Sequence, residues 1–231
     1  MRALVFDTGS IISLVTNNLL WTLKPLKKQF GGQFLISETV KDELIDYPLK
    51  TKKYKLEGLM IQDLLREGIL TLAVNKGSSN KILELLNVAN TCYHTNGNPL
   101  KIVDKGEIET LTIVLQNKAD AMVVDERTLR LLIEDPERLR QVFESRLHTS
   151  VKMNTECISK CREITKSVKI IRSSELAYAA YKLGVLDKYI SVKKNKDESL
   201  KRELLEGTLW ALKLKGCSIS EQEIEDMINI G

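Results

Sequence analysis

A chain of 231 residues with 43% hydrophobic and 29% charged residues can bury a core of its own, and its evenly mixed charge argues against disorder. No apolar stretch approaches the ~20 residues that cross a bilayer, which leaves no place for a spanning helix. The net charge of +4 is mild and fits a polyanionic partner without requiring one. Asp7 stands where a signal peptide would continue its apolar core, so a cytoplasmic protein is expected. Cys92, Cys157, Cys161 and Cys217 contain no CxxC pair and read as reduced, partly buried thiols and not as a metal site.

Ala3-Leu4-Val5-Phe6 reads as a first strand ending at Asp7. Ile11, Ile12, Leu14, Val15, Leu19 and Leu20 then continue without a strand's alternation, so the chain turns at Thr8-Gly9-Ser10 into a helix. Gln33 to Ile36 is a second strand. Ser37 and Thr39 are N-cap candidates for a short helix that holds Val40, Glu43 and Leu44 and is expected to end near Pro48. A helix over Gly58 to Glu67, a third strand over Ile69 to Val74 and a helix over Lys81 to Thr91 follow. Asn96-Gly97-Asn98-Pro99 reads as a loop.

A helix starting within Asp104 to Glu107 presents Ile108, Leu111, Thr112 and Leu115 on one face. A fourth strand, Ala121 to Val124, then delivers Asp125 as the first delivers Asp7. From about Thr128 to Lys166 the sequence is charged and helix-forming, with Asp135-Pro136 opening a new helix, and reads as a helical insertion. A fifth strand, Val168 to Ile171, precedes a helix capped by Ser173 or Ser174 that carries Leu176, Ala179, Ala180 and Leu183. Lys193 to Lys196 marks a linker. The tail is a helical pair, divided by Gly216 and by a capping box from Ser220 to Glu223. Strands alternating with helices predict an α/β fold with a parallel five-stranded sheet covered on both faces, as residues 1–190, with a C-terminal helical extension over 191–231.

The acids carry the chemistry. Asp7, Glu43, Asp125 and the Asp104/Glu107 pair lie at the edges of apolar segments, which suggests one acidic pocket at the C-terminal edge of the sheet, where open α/β sheets place their sites. Oxygen ligands without His or Cys suit Mg2+ or Mn2+, and the chemistry that follows is phosphodiester hydrolysis. Asp104 and Glu107 also have the spacing of a capping box, and both roles are compatible. Val5-Phe6-Asp7-Thr8-Gly9-Ser10 matches an aspartic-protease loop, but a helix directly after Ser10 argues against a β-rich protease. His94 and His148 are isolated. Trp21 and Trp210 read as core or interface residues.

Asp7 after a first strand, Glu43 in Ser37-Glu38-Thr39-Val40-Lys41-Asp42-Glu43-Leu44, Glu107 in Gly106-Glu107-Ile108-Glu109-Thr110-Leu111 and Asp125 in Val123-Val124-Asp125-Glu126 resemble the acidic quartet of PIN-domain ribonucleases. The resemblance runs over roughly residues 1–190. The tail Leu212 to Ile228, with Gly216 and Ser218 to Ser220, is similar to the C-terminal extension of some prokaryotic branches. It implies a three-layer α/β/α fold, Mg2+ or Mn2+ held by Asp7, Glu107, Asp125 and Glu43, with Asp104 as a further ligand candidate, and cleavage of RNA by metal-activated water. It also implies a homodimer and, as in many relatives, the toxin half of a toxin–antitoxin pair with an antitoxin protein as partner, or else an RNA-processing nuclease. The chain departs from the small toxins in its length, and Glu107 stands where the family usually has an aspartate.

On this reading Thr8 or Ser10 contacts the phosphate. Lys50, Lys52, Lys53 and Lys55 around Tyr54 grip RNA, the lysines on phosphates and the ring on a base. Arg127 and Arg130 are a second RNA-binding candidate, with Lys193, Lys194 and Lys196 behind them. A catalytically inactive RNA-binding or scaffold module and a structure-specific DNA nuclease are the competing expectations.

Overall fold

The structure, a computed structural model, describes residues 2–73, 79–190 and 198–230. Val74 and the lysines at 193, 194 and 196 lie outside them. Five short strands form one parallel sheet: β1 (Ala3–Phe6), β2 (Gln33–Ile36), β3 (Thr71–Leu72), β6 (Ala121–Val123) and β8 (Ile170–Ile171). Their order is β3-β2-β1-β6-β8, so the chain winds outward in one direction from β1 to β2 and β3, and in the other to β6 and β8.

Side chains of the central strands alternate between two cores, which is what makes the fold three-layered. Leu4 and Phe6 of β1, Phe34 and Ile36 of β2, and Ala121 and Val123 of β6 enter one core with α1 (Thr8–Thr16), α2 (Leu23–Phe30), α5 (Lys55–Arg66) and α11 (Ser173–Lys182). Val5, Leu35 and Met122 enter the other, with α6 (Ser79–Ala89), α7 (Lys105–Asn117), α8 (Arg127–Glu134) and α10 (Thr155–Thr165). β1 and β6 are therefore apolar at every position, and β2 after Gln33, as expected of strands buried on both faces.

Two sequence expectations need correction, and a third needs refinement. The helix of Glu43 ends near Pro48 as expected, at Lys50, but it runs through the proline. A proline there has no N–H and would clash with the carbonyl four residues back in a regular helix. The chain instead passes from α3 (Glu38–Lys41) through a π-helical turn, Asp42–Asp46, into α4 (Tyr47–Lys50), and the wider turn resets the register so that Pro48 falls in the first turn of α4, where its missing N–H costs nothing. Asn96-Gly97 is not a plain loop. Both residues have positive φ, 50° and 81°, and they join β4 (Tyr93–Thr95) to β5 (Asn98–Pro99) as a tight hairpin. β7 (Lys152–Met153) pairs with β4, so a strand interrupts the region read as a purely helical insertion, after α9 (Pro136–Leu147).

The C-terminal helices α12 (Glu198–Leu214) and α13 (Glu221–Ile230) are not a detached appendage. Leu205, Leu209, Leu212, Ile224 and Ile228 belong to the same core as Leu4 and Phe6. Among the described residues, no helix is long and apolar enough to cross a membrane. Because Leu209 is fully buried in that shared core, Leu209→Ala should cost about 2–5 kcal/mol in a urea titration and preserve a single transition for the whole chain. A separate, early transition of the tail would contradict the shared core.

Candidate acidic site at the sheet edge

The winding direction reverses between β1 and β6, and the C-terminal ends of these two strands form the crevice where open α/β sheets bind ligands. Asp7 closes β1 there. Its backbone N–H donates to Val123 O at 2.9 Å, and its side chain caps α1 by accepting from Gly9 N at 3.2 Å. The residue is 7% exposed. Burial raises its pKa from 3.8 to about 6, and the charges of Asp104 and Glu43 push the same way against hydrogen bonds from Gly9 and Thr8.

Glu43 comes in from the π turn. Its Oε2 accepts from the Thr8 hydroxyl at 2.5 Å, which fastens it to the start of α1. Asp104 and Glu107 come in from the N-terminus of α7 as a complete capping box: Glu107 N donates to Asp104 Oδ1 at 2.9 Å, and Asp104 N donates to Glu107 Oε2 at 2.7 Å. Glu107 is pushed up from 4.5 to about 8, first by burial and then by Asp104, Asp7 and Glu126. Glu126, not singled out in the sequence, is exposed and caps α8.

Gly106 is a second residue that carried no sequence signal for this site. A Cβ there would lie 3.4 Å from Asp104 Oδ1, 3.5 Å from Glu43 Oε1 and 3.3 Å from Thr39 Cγ2. Its missing side chain therefore leaves a small cradle between two carboxylates delivered by different elements. Among the described residues, no Lys or Arg forms an ion pair with Asp7, Glu43, Asp104 or Glu107.

Asp125 lies two residues past the end of β6, one residue farther along the register than Asp7 past β1, and its surroundings differ. It is 2% exposed, and its carboxylate accepts from Ser173 N at 2.7 Å and from the Ser173 hydroxyl at 2.6 Å, at the start of α11. Its own carbonyl accepts from Ser218 N at 3.1 Å. Beside it the buried Arg172 pairs with Glu175, with Glu223 at 2.8 Å and with Ser218 O at 2.9 Å. The segment after Gly216 thus lies over Asp125, whose oxygens are already engaged.

Ser10 is also withdrawn from any substrate: its buried hydroxyl donates to Asp7 O at 2.8 Å and approaches Val123 O at 3.2 Å. Arg130 is half-buried against Glu134 at 3.4 Å and Ser218 O at 3.5 Å, so it braces the tail, whereas Arg127 is exposed. Lys50, Lys52, Lys53, Tyr54 and Lys55 are all exposed. Tyr54 is held at φ 61°, unusual for a bulky residue, with Lys53 Nζ 4.8 Å from its ring centroid. Tyr54 and Glu43 line the same surface hollow, together with Ile12, Val15, Pro48 and Ile61, so this loop adjoins the acidic site.

The donor set of Asp7, Glu43, Asp104 and Glu107 fits a hard cation in kind: all are oxygen donors, and the buried Asp7 and half-buried Glu107, without a basic partner, gain most from one. Among the described residues, however, no three His, Cys, Asp or Glu side chains already form a group that could hold a metal ion. No family model matches this chain, and no curated protein or solved structure was found to match it either.

Because Asp7 and Glu107 hold protons more tightly folded than unfolded, ionising them opposes folding. Their contribution should fall from about pH 4 upward and level off beyond about pH 8. In chelator, wild-type Tm should therefore drop between pH 5 and pH 8.5, and Glu107→Gln, which keeps the cap acceptor, should flatten the upper part of that drop. Asp7→Asn should likewise hold or raise Tm at pH 8. Asp125→Asn should instead cost about 1–3 kcal/mol of stability and lower Tm, because the two Ser173 donors reach different carboxylate oxygens and the amide puts an NH2 in the place of one of them. Equal effects at the two aspartates would refute the contrast drawn between them.

Proposed function

We propose that this chain is a metal-dependent ribonuclease of the PIN-domain type, acting through the acids at the β1/β6 edge. The observation that carries the reading is the convergence of Asp7, Glu43, Asp104 and Glu107 on one crevice from separate elements, with Asp7 and Glu107 raised by burial and mutual repulsion. Such an arrangement is costly without a cation and lies where α/β folds bind ligands.

Bound Mg2+ or Mn2+ supplies a water of lowered pKa and neutralises charge developing on the phosphate. Asp7 and Glu107 are assigned as its main ligands, and Glu43 and Asp104 flank the Gly106 cradle. Thr8 orients Glu43, and the capping box orients Glu107. Asp125 becomes a positioning residue that fixes α11 and the C-terminal segment against the sheet. Lys50, Lys52, Lys53 and Lys55 supply the phosphate grip, and Tyr54 a stacking surface at the lip of the Glu43 hollow. The engaged state of Asp125 favours one second reading, an RNA-binding module without turnover. The toxin role, an antitoxin partner and the homodimer remain expectations of the resemblance.

Wild-type protein with Mn2+ should cut fluorescent single-stranded RNA and spare the matched DNA, chelator should stop the reaction, and Asp7→Asn should reduce it to background. RNA binding without cleavage under any divalent ion would favour the inactive module, and equal cutting of DNA would favour a DNA nuclease. In an Asp7→Asn background, changing Lys50, Lys52, Lys53 and Lys55 together to Ala should weaken binding and flatten the log–log salt slope by roughly 0.7 for each phosphate no longer held. Unchanged affinity and slope would move the grip to another surface.

A further inference from the structure

Three of the chain's thiols lie together on the opposite face of the sheet from α1 and α11. Cys92 follows α6, while Cys157 and Cys161 lie one turn apart on α10. The Sγ atoms of Cys92 and Cys161 are 3.6 Å apart, and Cys157 Sγ is 3.5 Å from the Thr91 hydroxyl. The backbone fixes this approach: Asn154 N, at the cap of α10, donates to Cys92 O at 2.7 Å, and Tyr93 pairs with Met153. Cys92 is fully buried, and Cys161, 9% exposed, lines a narrow apolar crevice with Ile108, Leu111, Leu129 and Ile164.

We propose that Cys92 and Cys161 form a peroxide-driven disulfide that staples the α6–β4 junction to α10. The oxidant class follows from the crevice, since a small neutral peroxide enters an apolar slot that a charged, bulky disulfide such as oxidised glutathione does not. Cys161 lines the crevice while Cys92 is fully buried behind it, so Cys161 is the thiol a peroxide reaches, and the contact with Cys92 Sγ lowers its pKa. The Cys161 thiolate attacks one peroxide oxygen, the O–O bond breaks and hydroxide leaves, giving a sulfenic acid. Cys92 sulfur then attacks Cys161 sulfur, the S–O bond breaks, and water leaves with the Cys92 proton. In sum, two thiols are oxidised to one disulfide, and one peroxide is reduced to two waters.

The bridge joins positions 69 residues apart and encloses α7, β6, α8 and α9 in one covalent loop. Loop closure restricts the unfolded chain, so the oxidised form should be the more heat-stable. This inference does not depend on the nuclease reading.

The native protein is treated with hydrogen peroxide, quenched with catalase, unfolded in an alkylating reagent and mapped by mass spectrometry. Two thiols should escape alkylation, in a single peptide pair linking Cys92 to Cys161. Cys217 should remain alkylatable, and Tm should rise by a few degrees and return with dithiothreitol. Cys157→Ser should leave the cross-link intact, and Cys161→Ser and Cys92→Ser should each abolish it. Four alkylatable thiols after treatment, a bridge to Cys157 in place of Cys92, or over-oxidation of Cys157 with no bridge would overturn the proposal. The wild-type map alone decides this, even if a serine variant fails to fold.

Discussion

Parallel pairing of β1 with β6 brings Asp7 and Asp125 to the same edge of the sheet, and the fold treats the two carboxylates in opposite ways. Asp125 receives two hydrogen bonds from Ser173 at a helix start, where the peptide dipoles favour a negative group. Asp7 receives hydrogen bonds from the first turn of α1, yet it also faces Asp104 and Glu43, and burial outweighs its donors. One acid is thus a finished structural contact. The other stores unfavourable charge, the condition in which a cation or a proton is taken up.

The neighbours of Asp7 reach it through local devices. Pro48 forces a widened turn into the α3–α4 helix, and Glu43 sits on that turn. Asp104 and Glu107 satisfy the first turn of α7 and present their charge toward Asp7 at the same time. Gly106 keeps a methyl group out of the space between Asp104 and Glu43. A cap, a proline and a glycine each have a local explanation, and their joint effect is a concentration of negative charge.

Much of this is legible in the sequence where a residue acts through its near neighbours. β1 and β2 are readable as apolar runs bounded by polar residues, and Ser220 and Glu223 form the capping box that their spacing implies. Asp120 pairs with Ala3 N at the opposite end of the sheet, as its place before β6 requires. The five-stranded parallel sheet follows from the same alternation. Strands of two or three residues such as β5 and β7 are too short to show a period, although Asn96-Gly97 carries a hairpin signal. The roles of Ser10, Arg130 and Asp125 escape a sequence reading because their partners, Val123, Ser218 and Ser173, are distant along the chain. Both acids follow apolar runs and so read alike in the sequence, and a one-residue offset in register together with tertiary packing separates them.

The tail then acquires a role beyond adding apolar area. Arg172 is one residue before Ser173, which holds Asp125, and it is held in turn by Glu223 of α13 and by the carbonyl of Ser218. Its guanidinium is buried and shared between Glu175 and Glu223, so removing Glu223 leaves Glu175 as the carboxylate that still pairs with it and frees its contact to α13. The position of β8 and the start of α11 is thereby coupled to α13, and through Ser173 to the Asp125 side of the crevice. The Asp7 side chain makes none of these polar contacts, although its backbone N–H donates to Val123 O of β6, and β1 and α1 share the tail's apolar core. Disturbing the C-terminal helices should therefore move the Asp125 wall of the crevice more than the Asp7 wall.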